Sequence, residues 1–443
     1  MENVDTLILG GTVLCLDDDM TRIDDGALAI VGDTIAAVGT KRELGQLFTS
    51  QNIVDGKSSL IMPGLVNCHT HAAMTCFRGI ADDMELMDWL TNYIFPAEAR
   101  NVDPELAYWG SLLACAEMIK SGTTAFCDMY IFEEETAQAV RKAGMRCLLG
   151  EVLFDFPSPN IKTPREGLDY TRKLLNRWSG DPLISIAVEP HALYTCSRPL
   201  LLDACHLATE FHAPLALHLL ENMSEKKQLR EKLGQDAVPY LRDLGCLNER
   251  LIAFHCVYMD EEDILAFRDE GCKAVHNPES NMKLASGFAP VSRMLKEGVC
   301  VGLGTDGCAS NNNLDMFQEM STAAKLEKVR HLDPTLMPAE TVVSMATRQG
   351  AQVLGMGGNT GCLKAGRKAD IIMIDLNRPH LTPMYNPYSH LVYAVNGSDV
   401  KTVFIGGNMV MKDRKLLTLN EEEAMEQVHR IAVRVRKSLE KPF

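Results

Sequence analysis

At 443 residues the chain is long enough for one large α/β barrel with a smaller companion domain. Its formal net charge of -15 excludes a nucleic-acid or anionic-membrane surface, because both require clustered positive charge. The 14 cysteines are scattered with no C-x-x-C pair, so reduced, mostly buried thiols of a cytoplasmic protein are expected. The start, MENVDTLILGG, has no basic segment ahead of a long apolar core and does not read as a signal peptide. No uninterrupted apolar run is long enough to span a bilayer.

In chain order, residues 5–16, 26–31 and 34–39 are short strand-like pieces separated by Asp-Asp and Gly-Asp turns. Strand-like apolar runs return at residues 369–376 (ADIIMIDL) and 400–410 (VKTVFIGGNMV). Residues 1–59 and 367–420 are therefore expected to form the two parts of one small β-sandwich. Between them, residues 60–366 alternate apolar runs with helical stretches, the pattern of βα units around a parallel sheet. Eight such runs are present, the number that closes a (β/α)8 TIM barrel. They end at His69 and His71, Asp128, Phe154, His191, His218, His255, Asn277 and Asp306. Residues 421–443 are expected to hold a packing helix, with Met425, Val428, Ile431, Val435 and Leu439 at helical spacing.

The first of the eight runs, LIMPGLVNCHTH, delivers His69 and His71 at positions i and i+2. Residues two apart in a strand point the same way, and paired neutral imidazoles suit zinc, iron or nickel. In the fifth run His218 and Glu221 occur as His-Leu-Leu-Glu, so a ligand and a carboxylate can face one mouth. His255 closes AFHC. Asp306 closes VGLGTDG, where Gly302, Gly304 and Gly307 leave the backbone room to bring the aspartate close. Each residue alone has a plain structural explanation: a strand-end histidine caps a carbonyl, Asp before Gly is a turn, and Glu221 suits a helix start. Six of eight runs placing His or Asp at one rim is harder to explain that way, because barrel enzymes keep their chemistry at that rim.

These segments resemble the amidohydrolase superfamily, and within it the methylthioadenosine/S-adenosylhomocysteine deaminases. The resemblance covers nearly the whole chain and is carried by PGLVNCHTH, MDWL with FPAEAR, SGTTAFCDM, EPHALYTC, LHLLEN, HCVYMD, HNPESNMKL and GLGTDGCASNNNLDM. It implies one divalent metal ion held by His69, His71, His218 and Asp306, with Zn2+ the first expectation and Fe2+ or Mn2+ the alternatives. Glu221, His255 and Asp306 are implied as proton-handling groups, with Glu221 and Asp306 also meeting the substrate. No lysine closes the fourth run, where EPHALY places His191, which implies the one-metal type. Glu98 in FPAEAR resembles the glutamate that accepts hydrogen bonds from the ribose hydroxyls, and His191 the histidine beside the nucleoside. A homo-oligomer is the family expectation.

The chemistry also follows from the groups themselves. Replacing an aromatic amino group by oxygen requires hydroxide to add to a ring carbon, and a divalent metal lowers the pKa of water to about 7. Charge then develops on the neighbouring ring nitrogen, where protonated Glu221 can donate, while His255 and Asp306 can carry protons to the departing ammonia. The chain lacks the H-x-E and P-C-x-x-C signature, which excludes a cytidine-type deaminase. A carboxylate such as Glu98 has acceptors for both hydroxyls of a vicinal diol. Trp89 in MDWL is a candidate apolar wall for a base. Relatives place an arginine after the third strand, whereas FPSPNIKTPRE offers Arg165. The expected activity is deamination of S-adenosylhomocysteine, 5'-methylthioadenosine or adenosine. The alternatives are a triazine or guanine deaminase or chlorohydrolase, whose flat substrates would leave Glu98 and His191 without a ribose, and a non-catalytic scaffold.

Overall fold

A computed structural model describes residues 1–439. Its centre is a set of parallel strands: β1 (Leu65–Thr70), β2 (Thr123–Tyr130), β3 (Arg146–Leu153), β4 (Ile184–Ile186, resuming at Glu189–Pro190), β5 (Leu215–Leu219), β6 (Leu251–His255), β7 (Lys273–His276) and β8 (Cys300–Leu303). β1 to β4 pair in that order in one sheet and β5 to β8 in a second. Nearly every residue of these strands is buried, so they read as continuous apolar runs and not as alternating ones. Helices cover the outside. The helix Pro104–Lys120 before β2 shows the local logic: Asp103 caps it by accepting from the Leu106 amide at 2.9 Å, and Pro104 takes the first-turn position.

Two further sheets draw on both ends of the chain. In the seven-stranded sheet, Ile371–Asp375 pairs with Ser59–Pro63 on one side and Val400–Ile405 on the other, and Ser59–Pro63 pairs with Thr12–Leu14. The four-stranded sheet runs Thr34–Thr40, Gly26–Val31, Thr6–Leu9, Ile53–Asp55. The two share one apolar cluster that includes Ile8, Leu28, Ile61, Ile371 and Phe404, so the terminal segments fold together. The first of the eight runs thus begins inside the seven-stranded sheet and passes to β1 through Gly64.

Several predicted elements differ in detail. The run at 5–16 is cut by Gly10 and Gly11, whose φ of +90° and +88° turn the chain from one sheet to the other. The run at 400–410 is likewise a hairpin about Gly406 and Gly407, with pairing of Ile405 to Asn408. The C-terminal helix, Glu421–Leu439, buries Ala424, Val428, Ile431 and Val435 but leaves Met425 exposed, because the small Ala424 side chain takes the contact face. Residues 440–443 of the predicted helical segment lie outside the described residues. Cys205 and Cys246 form a disulfide with Cα atoms 5.8 Å apart, correcting the expectation of reduced thiols there; their separation of 41 residues hid the pair. Eleven of the twelve other cysteines are buried.

One buried ion pair ties the parallel strands to the seven-stranded sheet. Arg146, opening β3, meets Asp370 through Nε to Oδ2 at 2.9 Å and Nη2 to Oδ1 at 3.1 Å, and Asp370 also accepts from the Gly406 amide at 2.7 Å. Removing one partner of such a pair leaves an uncompensated buried charge. Arg146→Ala is therefore expected to destabilise the chain by about 3 to 5 kcal/mol, read as a lower denaturation midpoint; an unchanged midpoint would show that the pair contributes nothing.

Candidate active site

The C-terminal ends of the parallel strands converge on one cavity. His71, His191, His218, Glu221, His255 and Asp306 all line it, as do Glu98 and Trp89. His69 lies beneath them, fully buried, its ring stacked 3.9 Å from that of Phe254 on β6. The position of Asp306 depends on close backbone approach. A Cβ on Gly304 would come within 2.8 Å of the His69 amide nitrogen, and one on Gly307 within 3.0 Å of the His71 Cβ. Asp306 and His255 take φ of +63° and +70°, a left-handed conformation uncommon for such residues and typical of functional sites.

Two overlapping ligand groups arise. His69, His71 and Asp306 form one, and His69, His218 and His255 the other. His69 Nε2 and His71 Nε2 stand 3.4 and 3.2 Å from Asp306 Oδ1. The His69 and His218 rings are 5.0 Å apart, those of His218 and His255 5.5 Å. Ring tautomers are set from behind, since His71 Nδ1 donates to the Met129 carbonyl at 2.5 Å and His218 Nδ1 to that of His191 at 2.9 Å. This leaves both Nε2 lone pairs facing inward. Both ring nitrogens of His69 are buried without a hydrogen-bond partner. An orphaned imidazole among further imidazoles and a carboxylate fits a divalent ion, because nitrogen and oxygen donors of this kind are its ordinary ligands.

The electrostatics agree with that donor set. Burial pulls His69 down to about 3 and His191 to about 3, keeping both neutral. Burial also lowers His71, but the Asp306 carboxylate outweighs it and raises the ring to about 9, so His71 must give up its Nε2 proton before that nitrogen can take an ion. Asp306 is opposed by burial yet held well below the usual carboxylate range by His69 and His71. Its Oδ2 accepts from Ser280 Oγ at 2.6 Å and Ser310 Oγ at 2.8 Å, so the carboxylate is fixed through the oxygen that His69 and His71 do not meet, with His255 Nε2 3.9 Å from it.

Glu221 is reached from a short turn after β5. Glu225 accepts from the Leu220 and Glu221 amides at 3.1 and 2.7 Å and so fixes this turn. Glu221 Oε1 lies 3.9 Å from His255 Nδ1 and 3.5 Å from Ser286 Oγ. Burial raises its pKa, against the pull of His255. His255 is oriented by Asn281 Oδ1 at 2.9 Å from Nδ1. In the same cavity Glu98 accepts from Tyr130 OH at 2.8 Å, and burial raises it to about 7. His191 Nδ1 pairs with Thr195 Oγ1 at 2.9 Å, and Trp89 Nε1 donates to the Ala81 carbonyl at 3.1 Å, turning its ring to the cavity.

Arg165 is exposed on the helix Pro164–Arg177 and does not line the cavity. Asp128, read as a rim residue, instead braces the segment after His71: its Oδ1 accepts from Thr70 Oγ1 at 2.5 Å and the Ala72 amide at 2.6 Å. Sequence reasoning assigned no role to Ser280, Asn281, Ser310, Glu225 or Tyr130, all of which support a cavity residue. The signal for Ser280 and Asn281 lay in HNPESNMKL, which follows the end of β7 at the same rim.

Comparison with known proteins places these features in a family. Residues 60–410 match the model of the Amidohydrolase family. A 5-methylthioadenosine/S-adenosylhomocysteine deaminase of Syntrophus aciditrophicus is 84% identical over 442 residues, covering 100% of both chains. A 5'-deoxyadenosine deaminase of Methanosarcina mazei is 44% identical over 430 residues, with 97% of this chain and 98% of that one covered. The crystal structure of an adenosine deaminase from Xanthomonas campestris with bound zinc superposes with a TM-score of 0.97 at 36% identity, covering 98% of this chain and 99% of that one. The chain belongs to the amidohydrolase family and, within it, to the group of methylthioadenosine/S-adenosylhomocysteine deaminases.

Proposed function

We propose that the protein is a metal-dependent aminohydrolase that deaminates the adenine ring of 5'-methylthioadenosine, S-adenosylhomocysteine or adenosine, giving the inosyl product and ammonia. The names of its relatives support this activity. The observation that carries it is a buried carboxylate, Glu98, lining one cavity with Glu221 and the histidine cluster. In this reading His69, His71, His218 and Asp306 hold one divalent ion, with Zn2+ first and Fe2+ or Mn2+ as alternatives. Such an ion makes hydroxide available near neutral pH.

The protein groups supply positioning and proton transfer. Glu221, whose burial favours the protonated form, donates to the ring nitrogen beside the attacked carbon. His255 and Asp306 accept one water proton, which passes to the leaving amino group so that ammonia departs neutral, and the remaining hydroxyl proton returns to Glu221 as the ring carbonyl forms. Ionised Glu98 accepts from the two ribose hydroxyls, in addition to the Tyr130 hydroxyl, and His191 lies against the nucleoside. Decay of adenine absorbance as hypoxanthine forms, followed over a panel of adenosine derivatives, tests the activity. No change with any of them would overturn it.

The same reading treats β1 to β8 as one closed (β/α)8 barrel spanning residues 60–366, flanked by sandwich parts at 1–59 and 367–420 and a C-terminal packing helix at 421–443. Its support is hydrogen bonding across both seams: parallel bridges join Val188 to Leu215 and Ala192 to His218, and the Asp306 amide donates to the His69 carbonyl at 2.9 Å. A cytoplasmic homo-oligomer completes the proposal. It rests on the family resemblance and on the many buried, unpaired cysteines, Cys205 and Cys246 excepted. Among the described residues no helix is long and apolar enough to cross a membrane.

Glu98 gives a separable test. Glu98→Gln is expected to weaken nucleoside turnover by removing charge-assisted bonds of roughly 1.5 to 3 kcal/mol each. A 2',3'-dideoxy substrate should be poor for the native enzyme and lose little more in the variant. Equal losses on both substrates would place Glu98 in another role.

A further inference from the structure

The helix that carries Glu98, Phe95–Asn101, has 7 residues, too few to hold its shape in water without packing. Phe95 and Glu98 line the cavity, whereas Ala97 and Asn101 of the same helix are buried without lining it. The C-terminal helix Glu421–Leu439 is what backs them. Its Ile431 and Val435 share one apolar cluster with Ala97 and with Trp89 and Ile94, which wall the cavity just ahead of Glu98. Asn101, 4% exposed, donates through Nδ2 to Ser438 Oγ at 2.7 Å and to the Ala97 carbonyl at 2.8 Å. Ser438 Oγ itself donates to the Val435 carbonyl at 2.7 Å, which leaves its lone pairs for Asn101. Arg100 Nη1 adds a bond to the Ser438 carbonyl at 3.1 Å. Arg434 also meets Asp103 at 2.9 Å and Glu105 at 3.3 Å, but all three side chains are exposed, so these pairs contribute little.

We propose that the C-terminal helix belongs to the nucleoside-recognition apparatus, with Asn101 and Ser438 as positioning residues that set Glu98 where the ribose hydroxyls meet it. The inference rests on the proposed function, in which Glu98 accepts from those hydroxyls. Tyr130 OH holds the Glu98 carboxylate at Oε1, and the place of Oε2 follows the helix backbone. That backbone is pinned three residues further on, because a buried amide such as that of Asn101 is costly to leave without its acceptor. Misplacing a substrate-holding group by about 1 Å can cost about 10²-fold in rate, so a tie of this kind registers in substrate recognition and not in stability alone.

The test measures kcat and KM for adenosine and for 2',3'-dideoxyadenosine, with metal content, in the native enzyme, Ser438→Ala and Ser438→Thr. Ser438→Ala removes the acceptor of Asn101 and should raise KM for adenosine about two- to tenfold, with kcat and metal content near native. KM for the dideoxy substrate should change by less than about twofold, since it has no hydroxyls for Glu98 to hold. Ser438→Thr keeps the hydroxyl and should restore the native KM. On a Glu98→Gln background, Ser438→Ala should add little, because the two changes act through one group. Equal changes on both substrates, or a lower denaturation midpoint with unchanged KM, overturn the inference alone and leave the helix a structural brace. A Glu98→Gln variant that does not distinguish the two substrates overturns the role of Glu98. Failure of the native enzyme to deaminate any adenosine derivative overturns the deaminase reading, and this inference with it.

Discussion

His218→Ala is expected to lose both its metal and its turnover. His218 is held by the His191 carbonyl at Nδ1, so its Nε2 is committed to the cavity. Losing a partner that merely supports a ligand typically costs about 10- to 100-fold in metal affinity or activity, and losing the ligand itself should cost more. Three remaining ligands would hold the ion weakly and no longer set its geometry. His69→Ala should behave alike, with an added loss of stability because it also vacates the stacking position over Phe254. Elemental analysis of the purified variants beside a turnover assay checks both. Native metal content with native turnover in the two variants would remove these residues from the ligand set.

Glu221→Gln separates proton transfer from metal binding. The amide keeps the shape and can still meet Ser286, but it cannot give up and regain a proton. Positioned acid-base groups contribute about 10² to 10⁴ in rate, so turnover should fall by a factor in that range or more while metal content stays near native. Binding of a purine ground-state analogue should change far less, because the lost interaction gains its strength as charge develops at the ring nitrogen. A variant that loses its metal would make Glu221 a ligand. One that turns over normally would shift the proton to another group, with His255 next in line at 3.9 Å.

What was legible in the chain was the part written by neighbouring residues. His69 and His71 share a strand face, His218 and Glu221 are three apart, and six of the eight runs close on a His or Asp. What escaped was written by backbone conformation or by distant partners. Gly10 and Gly11 break an apolar run that periodicity alone cannot divide, since strand and turn there use the same small apolar alphabet. Fixation of Asp306 by Ser280 and of His255 by Asn281 depends on the short helix Pro278–Lys283, whose side chains meet these residues only after folding. Asp128 shows the converse: a polar residue on the right strand, spent on bracing a backbone turn.

The seam between β1 and β8 has a consequence for how the molecule matures. Asn67 donates to the Thr305 hydroxyl at 2.8 Å and accepts from the Thr305 amide at 3.0 Å, across 238 positions of chain, and His69 and Asp306 meet beside them. During synthesis the first histidines leave the ribosome long before the aspartate that completes their cluster. Contacts of such long sequence separation close late, because loop entropy must be overcome first. With His69 and Asp306 as ligands of one ion, its capture would be tied to completion of the polypeptide: a nascent chain would offer scattered imidazoles, and occupation of the finished site would draw the first and last strands together.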